Sequence, residues 1–309
     1  MAITLLIFIL ALLLLLASAK FLTNSAEMIG SYLKLPPFVI GIFIVGIGTS
    51  LPELISGLFS VNRGISEILA GNLMGANISN ILLVTGLAVV LNKKKIILSS
   101  NYIYVDLHFL IGSFVYFCII AFDGNIMFHE AFTGFIIFII YSIYLIRGDA
   151  LLNKTRVSSD SPFPFKYLAL FIASCVGIYF GADYTITSLV KIAAALNISN
   201  AIIALTLLSL GTTLPELAVN ISAIRRGKAE MALGNVLGSC IFNTLVIPPL
   251  TSALGVIEVP ASLVSFSLPV MAACGLLFYL LTQDKTISVW EGLMFICLYI
   301  LFIIKIAVQ

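Results

Sequence analysis

The chain has 309 residues, of which 61% are hydrophobic and 10% charged, with a formal net charge of +2 and a mean hydropathy of +1.17. A soluble globular domain carries about a quarter of its residues as charged side chains. The composition therefore excludes a soluble enzyme or nucleic-acid-binding module and predicts an all-α polytopic membrane protein. Because one spanning helix takes about 20 residues, the length leaves room for about ten helices and almost no domain outside the membrane.

Apolar spans follow one another in two groups of five. The first group covers about residues 2–22, 37–62, 65–91, 102–122 and 127–147, and the second covers about residues 166–190, 199–224, 229–254, 261–281 and 288–307. The stretch between the groups is polar and contains two prolines, which is typical of a linker. We therefore predict a five-helix repeat at residues 1–147, a linker at residues 148–165 and a second five-helix repeat at residues 166–309.

The basic residues are distributed unevenly between the loops. If the N-terminus is outside, thirteen of the sixteen Lys and Arg lie near cytoplasmic loops, and only Arg63, Lys191 and Lys305 lie near the other side. Such an excess sets the orientation of membrane proteins. It predicts a plasma-membrane protein with a cytoplasmic linker and both termini extracytoplasmic. An odd number of helices per repeat then makes the second repeat inverted relative to the first.

The chain contains one motif twice, as GIGTSLPEL at residues 46–54 and LGTTLPEL at residues 210–217. Glu53 and Glu216 lie 163 positions apart, and the same offset aligns GNLMGANISN at residues 71–80 with GNVLGSCIFN at residues 234–243. Two different motifs thus recur in one register. This register is the strongest sign in the sequence that the two halves build one site together.

Each copy of the first motif places a glutamate inside an apolar span, where an unpaired charge costs about 3 kcal/mol or more. The proline before each glutamate has no N–H, so the carbonyl four residues earlier loses its helical partner. We therefore predict that spans 2 and 7 are broken at Glu53 and Glu216. Thr49 and Thr212 lie four residues before these glutamates, so each hydroxyl shares a helical face with its carboxylate.

Carbonyl, hydroxyl and carboxylate oxygens together suit a hard cation. Asn80 and Asn243 occupy matched positions in the second motif and can add amide oxygens, although hydrogen bonding between helices is the other role open to them. Inverted repeats with helices broken at matched positions are typical of a secondary transporter whose site lies near the bilayer midplane. The competing interpretation is a pair of proline-kinked helices whose glutamates serve packing alone.

Other functions remain open from the residues alone. The same carboxylates could bind protons and support a proton-coupled or other divalent cation exchanger, and paired glutamates can line a cation channel. An intramembrane enzyme is disfavoured because the chain has no H-E-x-x-H motif and no Ser/His pair, so we predict no cofactor and no nucleic-acid partner. Asp106, Asp183 and Glu291 lie nearer span ends and are expected at the membrane interface.

The paired G-[IL]-G-T-[ST]-L-P-E-L stretches, each followed by G-N-x-x-G-[AS], resemble the cation/calcium antiporter superfamily and, within it, the sodium/calcium exchanger branch. The resemblance covers nearly the whole chain. Proton/calcium exchangers typically carry a G-N-x-x-E form, so GTSLPE and GTTLPE favour sodium as the coupling ion. The resemblance implies an antiporter that exchanges Na⁺ for Ca²⁺ by alternating access, with helices 1 and 6 sliding or rocking against the rest.

The resemblance also implies a set of ligands. The calcium ligands would be Glu53, Glu216, Thr49 and Thr212, completed by Asn80 and Asn243. The sodium ligands would be Ser50, Thr213 and Ser239, with backbone carbonyls near Gly46 and Ser209.

The chain departs from the family pattern at two positions. Ala76 stands where the family often has Ser, and Asn243 where many members have Asp. We expect the sodium site formed with Thr49, Ser50 and the Gly46 carbonyl to lack one ligand at residue 76. We expect the centre to carry two potential negative charges instead of three, which bears on potassium cotransport and on the sodium stoichiometry.

Overall fold

The computed structural model describes residues 2–92, 95–97, 103–152, 165–195 and 200–308. This part of the chain is predominantly helical, as its composition predicts. Eight of its helices are long and apolar enough to cross a membrane. The protein is therefore a multi-span membrane protein.

The described residues form long helices, with short strands in some of the loops between them. In chain order, the helices are α1 (Ala2–Tyr32), α2 (Pro37–Asn62), α3 (Glu67–Asn92), α4 (Ile103–Ala121), α5 (Phe128–Leu152), α6 (Phe165–Ala195), α7 (Asn200–Arg225), α8 (Ala229–Ser252), α9 (Leu263–Leu281) and α10 (Val289–Val308). The strands are β1 (Ile96–Ile97), β2 (Asn125–Ile126), β3 (Ile257–Glu258) and β4 (Thr286–Ile287). The first helix is longer than predicted, and α5 continues into the first residues of the predicted linker. Residues 153–164 of that linker lie outside the described residues.

Helices α1 and α6 pack against each other in opposite directions. A Cβ built on Gly177 of α6 would lie 3.1 Å from the Ser18 Cβ, and one built on Gly181 would lie 2.8 Å from the Leu15 backbone nitrogen. Residue numbers fall along α1 as they rise along α6, so the two helices are antiparallel. The glycines lack the Cβ that would prevent this close approach.

Two short antiparallel ladders join loops that are far apart in sequence. Strand β1 pairs with β4, and β2 pairs with β3. Strand β1 precedes α4 and β2 follows it, whereas β3 precedes α9 and β4 follows it. Helices α4 and α9 therefore run in opposite directions between the same two ladders.

The predicted breaks at Glu53 and Glu216 are wrong, because α2 and α7 continue through both residues with their prolines inside the helix. Helix α2 departs from α geometry earlier, in a π-helical segment at Ile40–Gly46 that ends where the first motif begins. Membrane helices tolerate an internal proline because neighbouring groups satisfy the freed carbonyl. A π-helical turn changes the direction of the following side chains without ending the helix, and such turns are frequent at functional sites.

Helices α3 and α8 also depart from regular α geometry. Helix α3 contains a π-helical segment at Asn80–Val84, and the Thr85 hydroxyl donates to the Asn80 carbonyl at 3.1 Å. Helix α8, predicted as one span, is interrupted at Val246, where φ is −112° and ψ is −44°. Pro248 and Pro249 follow directly and have no N–H to donate to the preceding turn.

The acidic residues predicted near span ends occupy three different environments. Glu291 lies in the first turn of α10 and accepts a hydrogen bond from the Ser288 N–H. Asp106 lies in the first turn of α4, but its side chain is fully buried. Asp183 is exposed and lies well inside α6.

Helix α8 forms the centre of the protein, and α2 approaches it backbone to backbone. Every residue of α8 from Met231 to Leu245 is buried. A Cβ on Gly238 would overlap the Ile42 carbonyl oxygen and lie 2.6 Å from the Ile42 Cα. A Cβ on Gly46 would lie 3.1 Å from the Gly238 Cα. The glycines therefore set the distance between α2 and α8.

We expect Gly238→Ala to destabilise the protein by about 1–3 kcal/mol, because the added methyl overpacks a contact made by backbone atoms that cannot turn aside. Thermal unfolding of the purified protein in detergent measures the effect. The matched control is Gly112→Ala on α4, since Gly112 is exposed and a Cβ there meets none of the described atoms within 4 Å. Equal melting temperatures for the two variants would contradict the proposed packing constraint.

Candidate cation site

Thr49 of α2 is the meeting point of two helices. Its Oγ1 lies 3.1 Å from Asn235 Oδ1 and 3.3 Å from Ser239 Oγ, both on α8, and 3.3 Å from the Gly46 carbonyl oxygen of its own helix. Ser239 Oγ lies 3.4 Å from the same carbonyl oxygen. Three residues predicted for the site, Gly46, Thr49 and Ser239, are thus in direct contact.

This contact corrects one expectation about Ala76. We expected the hydroxyl missing at residue 76 to leave the group around Thr49 and Gly46 one ligand short. The hydroxyl beside Thr49 and Gly46 belongs to Ser239. The reason is that α2 packs against α8 of the other half of the chain, which brings predicted ligands of both halves together.

The two glutamates are buried and face each other. Glu53 is 2% exposed and Glu216 is 1% exposed. The Glu216 carboxyl lies beside the Glu53 carboxyl and the hydroxyls of Thr49 and Ser50. Within the described part of the chain, Oε2 of each glutamate has no hydrogen-bond partner and no Lys or Arg forms an ion pair with either carboxylate. Two carboxylates in this position need a bound cation or a proton, because burying an unpaired charge is costly.

Asn80 of the second motif lies close to this pair, and Asn243 lies three residues after Cys240 on α8. Cys240 of α8 lies beside both Glu216 and Asn80, and Asn243 Nδ2 donates to Asn77 Oδ1 at 3.4 Å. Buried polar atoms in proteins are normally hydrogen-bonded. Five buried oxygens of the predicted site residues have no such partner among the described residues, and they are Ser50 Oγ, Glu53 Oε2, Asn80 Oδ1, Glu216 Oε2 and Asn243 Oδ1. A set of oxygens that is both buried and unpaired fits a hard cation.

The remaining predicted residues lie on α7. Thr213 is buried. The side chains of Thr212 and Ser209, and the surroundings of the Ser209 carbonyl, fall outside what the structure describes. Their roles as ligands stay predictions.

The structure adds two residues that the sequence interpretation missed. Asn235 of α8 accepts from the Thr49 hydroxyl, and its Nδ2 donates to Asn220 Oδ1 of α7 at 2.7 Å. The sequence held a signal for Asn235, because the second motif carries an asparagine at this position in both copies, Asn72 and Asn235. It held none for Asn220, since Gly57 stands at the matched position of the first half.

The comparisons with known proteins cover almost the entire chain. The sodium/calcium exchanger protein family matches residues 3–147 and 166–307. The membrane protein MJ0091 of Methanocaldococcus jannaschii is 32% identical over 95% of both chains, and the sodium/calcium exchanger MaX1 of Methanosarcina acetivorans is 29% identical over 97% of both.

Solved structures agree with these sequence relatives. The sodium-calcium exchanger NCX_Mj, soaked with 2.5 mM Na⁺ and 1 mM Sr²⁺, matches with a TM-score of 0.84 at 29% identity, over 97% of both chains. The two matched blocks of the family lie on either side of the predicted linker and contain both copies of each motif. The protein therefore belongs to the sodium/calcium exchanger family.

Proposed function

We propose that this protein is a secondary active antiporter that exchanges Na⁺ for Ca²⁺ across the plasma membrane by alternating access. Membership of the exchanger family supports the two ions, and the relative MaX1 carries the same description. The observation that carries the proposal is the buried pair Glu53 and Glu216, which lacks a basic partner among the described residues and is surrounded by unpaired oxygens.

The charges of this site suit exchange. Two ionised glutamates neutralise one Ca²⁺, and the same pair can hold two or three Na⁺ with a similar net field. Because the two ions compete for one set of oxygens, only one kind occupies the site at a time. If the protein reorients only when bound cations neutralise the carboxylates, the ion-free protein cannot switch between its two orientations. The Na⁺ gradient is then not dissipated without exchange.

The two flanks of the pair differ in ligands. The group of Gly46, Thr49 and Ser239 combines one carbonyl oxygen with a hydroxyl from each half of the chain. At the repeat offset of 163 positions, the residues that correspond to this group are Ser209, Thr212 and Ala76, and they form the opposite flank. The side chain of Ala76 offers no oxygen. We therefore assign weaker sodium binding to the Thr212 flank.

We propose ten transmembrane helices in two inverted five-helix repeats, with residues 1–147 and 166–309 as the repeats and residues 148–165 as a cytoplasmic linker. The opposite directions of α1 and α6, and of α4 and α9, support an inverted relationship between the halves. The asymmetry of the basic residues supports an extracytoplasmic location of both termini.

The moving unit in this proposal is the pair α1 and α6. Glycines on α6 let the two helices approach closely, and most of their surface faces outward, as expected of helices that slide in lipid. Polar contacts at the protein surface tie α1 to the α7–α8 loop. Lys228 Nζ lies 2.7 Å from Glu27 Oε1, and an Arg226 nitrogen lies 3.3 Å from Asn24 Oδ1. Partly exposed contacts of this kind are weak, so a sliding motion can break them.

Flux into proteoliposomes tests the exchange itself. Vesicles loaded with Na⁺ and placed in Na⁺-free medium should take up ⁴⁵Ca²⁺ in a saturable manner, because Na⁺ leaving the vesicles drives Ca²⁺ in. Vesicles loaded with K⁺ or choline should take up almost none. Uptake driven by a pH gradient alone would indicate a proton-coupled exchanger, and conductive Ca²⁺ movement without a counter-ion would indicate a channel.

Thermal unfolding in detergent tests the two glutamates as ligands. Ca²⁺ at about a hundred times its dissociation constant should stabilise the parent by about 2.7 kcal/mol, and a chelator should reverse the effect. Glu53→Gln and Glu216→Gln should lose most of this stabilisation. Without ions, they should melt no lower than the parent, since each replaces a buried carboxylate. The exposed Glu258→Gln is the control, and a full Ca²⁺ response in both site variants would refute the proposed ligands.

Crosslinking tests the moving unit. Cysteines in place of Asn24 and Arg226, joined by a bifunctional thiol reagent, should stop ion exchange because they tie α1 to the α7–α8 loop. The disulfide between Ser18→Cys and Gly177→Cys should be tolerated, since it joins α1 to α6 within the unit. The Cβ separation of 3.1 Å at this pair is below the usual disulfide range of about 3.5–4.5 Å, so α1 and α6 must move apart by a few tenths of an ångström to form the bond.

Cleaving the bifunctional reagent should restore exchange in the variant with cysteines at Asn24 and Arg226. The single-cysteine variants treated in the same way are the controls. Full exchange with α1 tied to the α7–α8 loop would show that α1 does not move against that region.

A further inference from the structure

A chain of buried side chains runs from α7 through α8 to Thr49 on α2. Asn235 Nδ2 donates to Asn220 Oδ1 at 2.7 Å, and Thr49 Oγ1 donates to Asn235 Oδ1 at 3.1 Å. Asn220 is 1% exposed, and Asn235 and Thr49 are fully buried. None of the sequence motifs predicts this chain, and neither amide is a ligand in the proposed exchange.

In the structure the hydrogen bonds of this chain run in one direction, and Asn220 Nδ2 has no partner among the described residues. Asn220 offers an oxygen to Asn235, so the atom of Asn235 that faces it must be the NH₂ group. The oxygen of Asn235 then points the other way, toward Thr49. Because an amide oxygen can only accept, Thr49 must be the donor in this contact.

This direction decides what Thr49 offers to a cation. A hydroxyl has one proton and two lone pairs, and the proton of Thr49 is engaged with Asn235. Without that acceptor, the proton would turn to the remaining acceptors, which include the Glu216 carboxyl beside it. A proton donated to Glu216 would occupy a carboxylate lone pair and present positive charge toward the ion.

We infer that Asn220 and Asn235 are positioning residues that hold the Thr49 hydroxyl with its lone pairs toward the transported cation. The inference rests on the proposed function, because it needs Thr49 as a ligand. Neither amide touches the ion. Asn235 accepts the proton of Thr49, and Asn220 keeps Asn235 from turning over.

The repeat shows that this arrangement serves only one side of the site. At the offset of 163 positions, Gly57 stands opposite Asn220, so the first half of the chain cannot form the same pair. Ala76 stands opposite Ser239 in the same comparison. The amide pair and the extra hydroxyl therefore both support the Thr49 flank, which the inference makes the stronger cation site.

The first test measures exchange by Asn220→Leu, which keeps the side-chain size but removes the acceptor for Asn235. The half-saturating concentration of Na⁺ or Ca²⁺ should rise about threefold to tenfold, as expected for one lost hydrogen bond, while the maximal rate stays within about twofold of the parent. Thr251→Val, a buried near-isosteric change outside the site, is the control and should change neither. A fall in maximal rate alone, unchanged constants, or tighter binding would each overturn the inference. Tighter binding would mean that the amides point the other way.

The second test asks whether Asn220 acts through Thr49. Melting temperatures in buffer free of Na⁺ and Ca²⁺ are compared for Asn220→Leu, Thr49→Val and the double variant. The double variant should be less destabilised than the sum of the single variants, because both remove the same chain of hydrogen bonds. Additive effects would overturn the inference even if binding is weakened. Asn220→Ala and Asn235→Leu replace Asn220→Leu in both tests if that variant does not fold.

Parent protein that shows no coupled Na⁺ and Ca²⁺ flux would refute the proposed function. Normal flux in the parent together with unchanged constants in Asn220→Leu would refute only the positioning role. The two failures are therefore distinguishable in one set of proteoliposomes.

Discussion

The structure depends on one electrostatic constraint, which is that two glutamate side chains lie side by side in the protein interior without a basic partner among the described residues. Solvent cannot reach Glu53 or Glu216, and their mutual repulsion adds to the cost of burial. A cation relieves both costs together. In the proposed exchanger the occupied site is therefore the more stable one, and the oxygens that have no partner among the described residues are free to bind the ion.

Holding those oxygens in place requires helices that approach more closely than ordinary side chains allow. Helix α8 is buried on all sides, and its glycines let the backbone of α2 come within van der Waals distance. Only at this distance can the Gly46 carbonyl and the Thr49 hydroxyl reach Ser239. The π-helical turn of α2 ends at Gly46, so the irregular backbone lies next to the point where the two halves of the chain share ligands.

The halves of the chain carry the same motifs but build unequal flanks. Ser239 has Ala76 as its counterpart, and Asn220 has Gly57. One flank therefore combines a hydroxyl pair with a chain of amide hydrogen bonds, while the other lacks both features at the matched positions. Two identical flanks would bind a given ion with equal affinity. Because the ligands of the two flanks differ, their affinities differ as well, which suits a site that binds two kinds of ion with different charges and sizes.

The sequence by itself determined the membrane-spanning helical class, the family and the two glutamates, since these follow from composition, the repeated motif and the cost of a charge in an apolar span. The family resemblance also predicted Thr49 and Ser239 as ligands, and these two residues are in contact in the structure. It wrongly predicted breaks at Glu53 and Glu216, because the missing N–H of a proline is a local signal whereas the helix continues if its surroundings satisfy the freed carbonyl. Only the tertiary structure decided that Ser239 lies beside Thr49 and that Asn220 accepts a hydrogen bond from Asn235. Ser239 is 190 positions away from Thr49 along the chain, and contacts at such separations depend on how α2, α7 and α8 pack, which no local pattern of residues encodes.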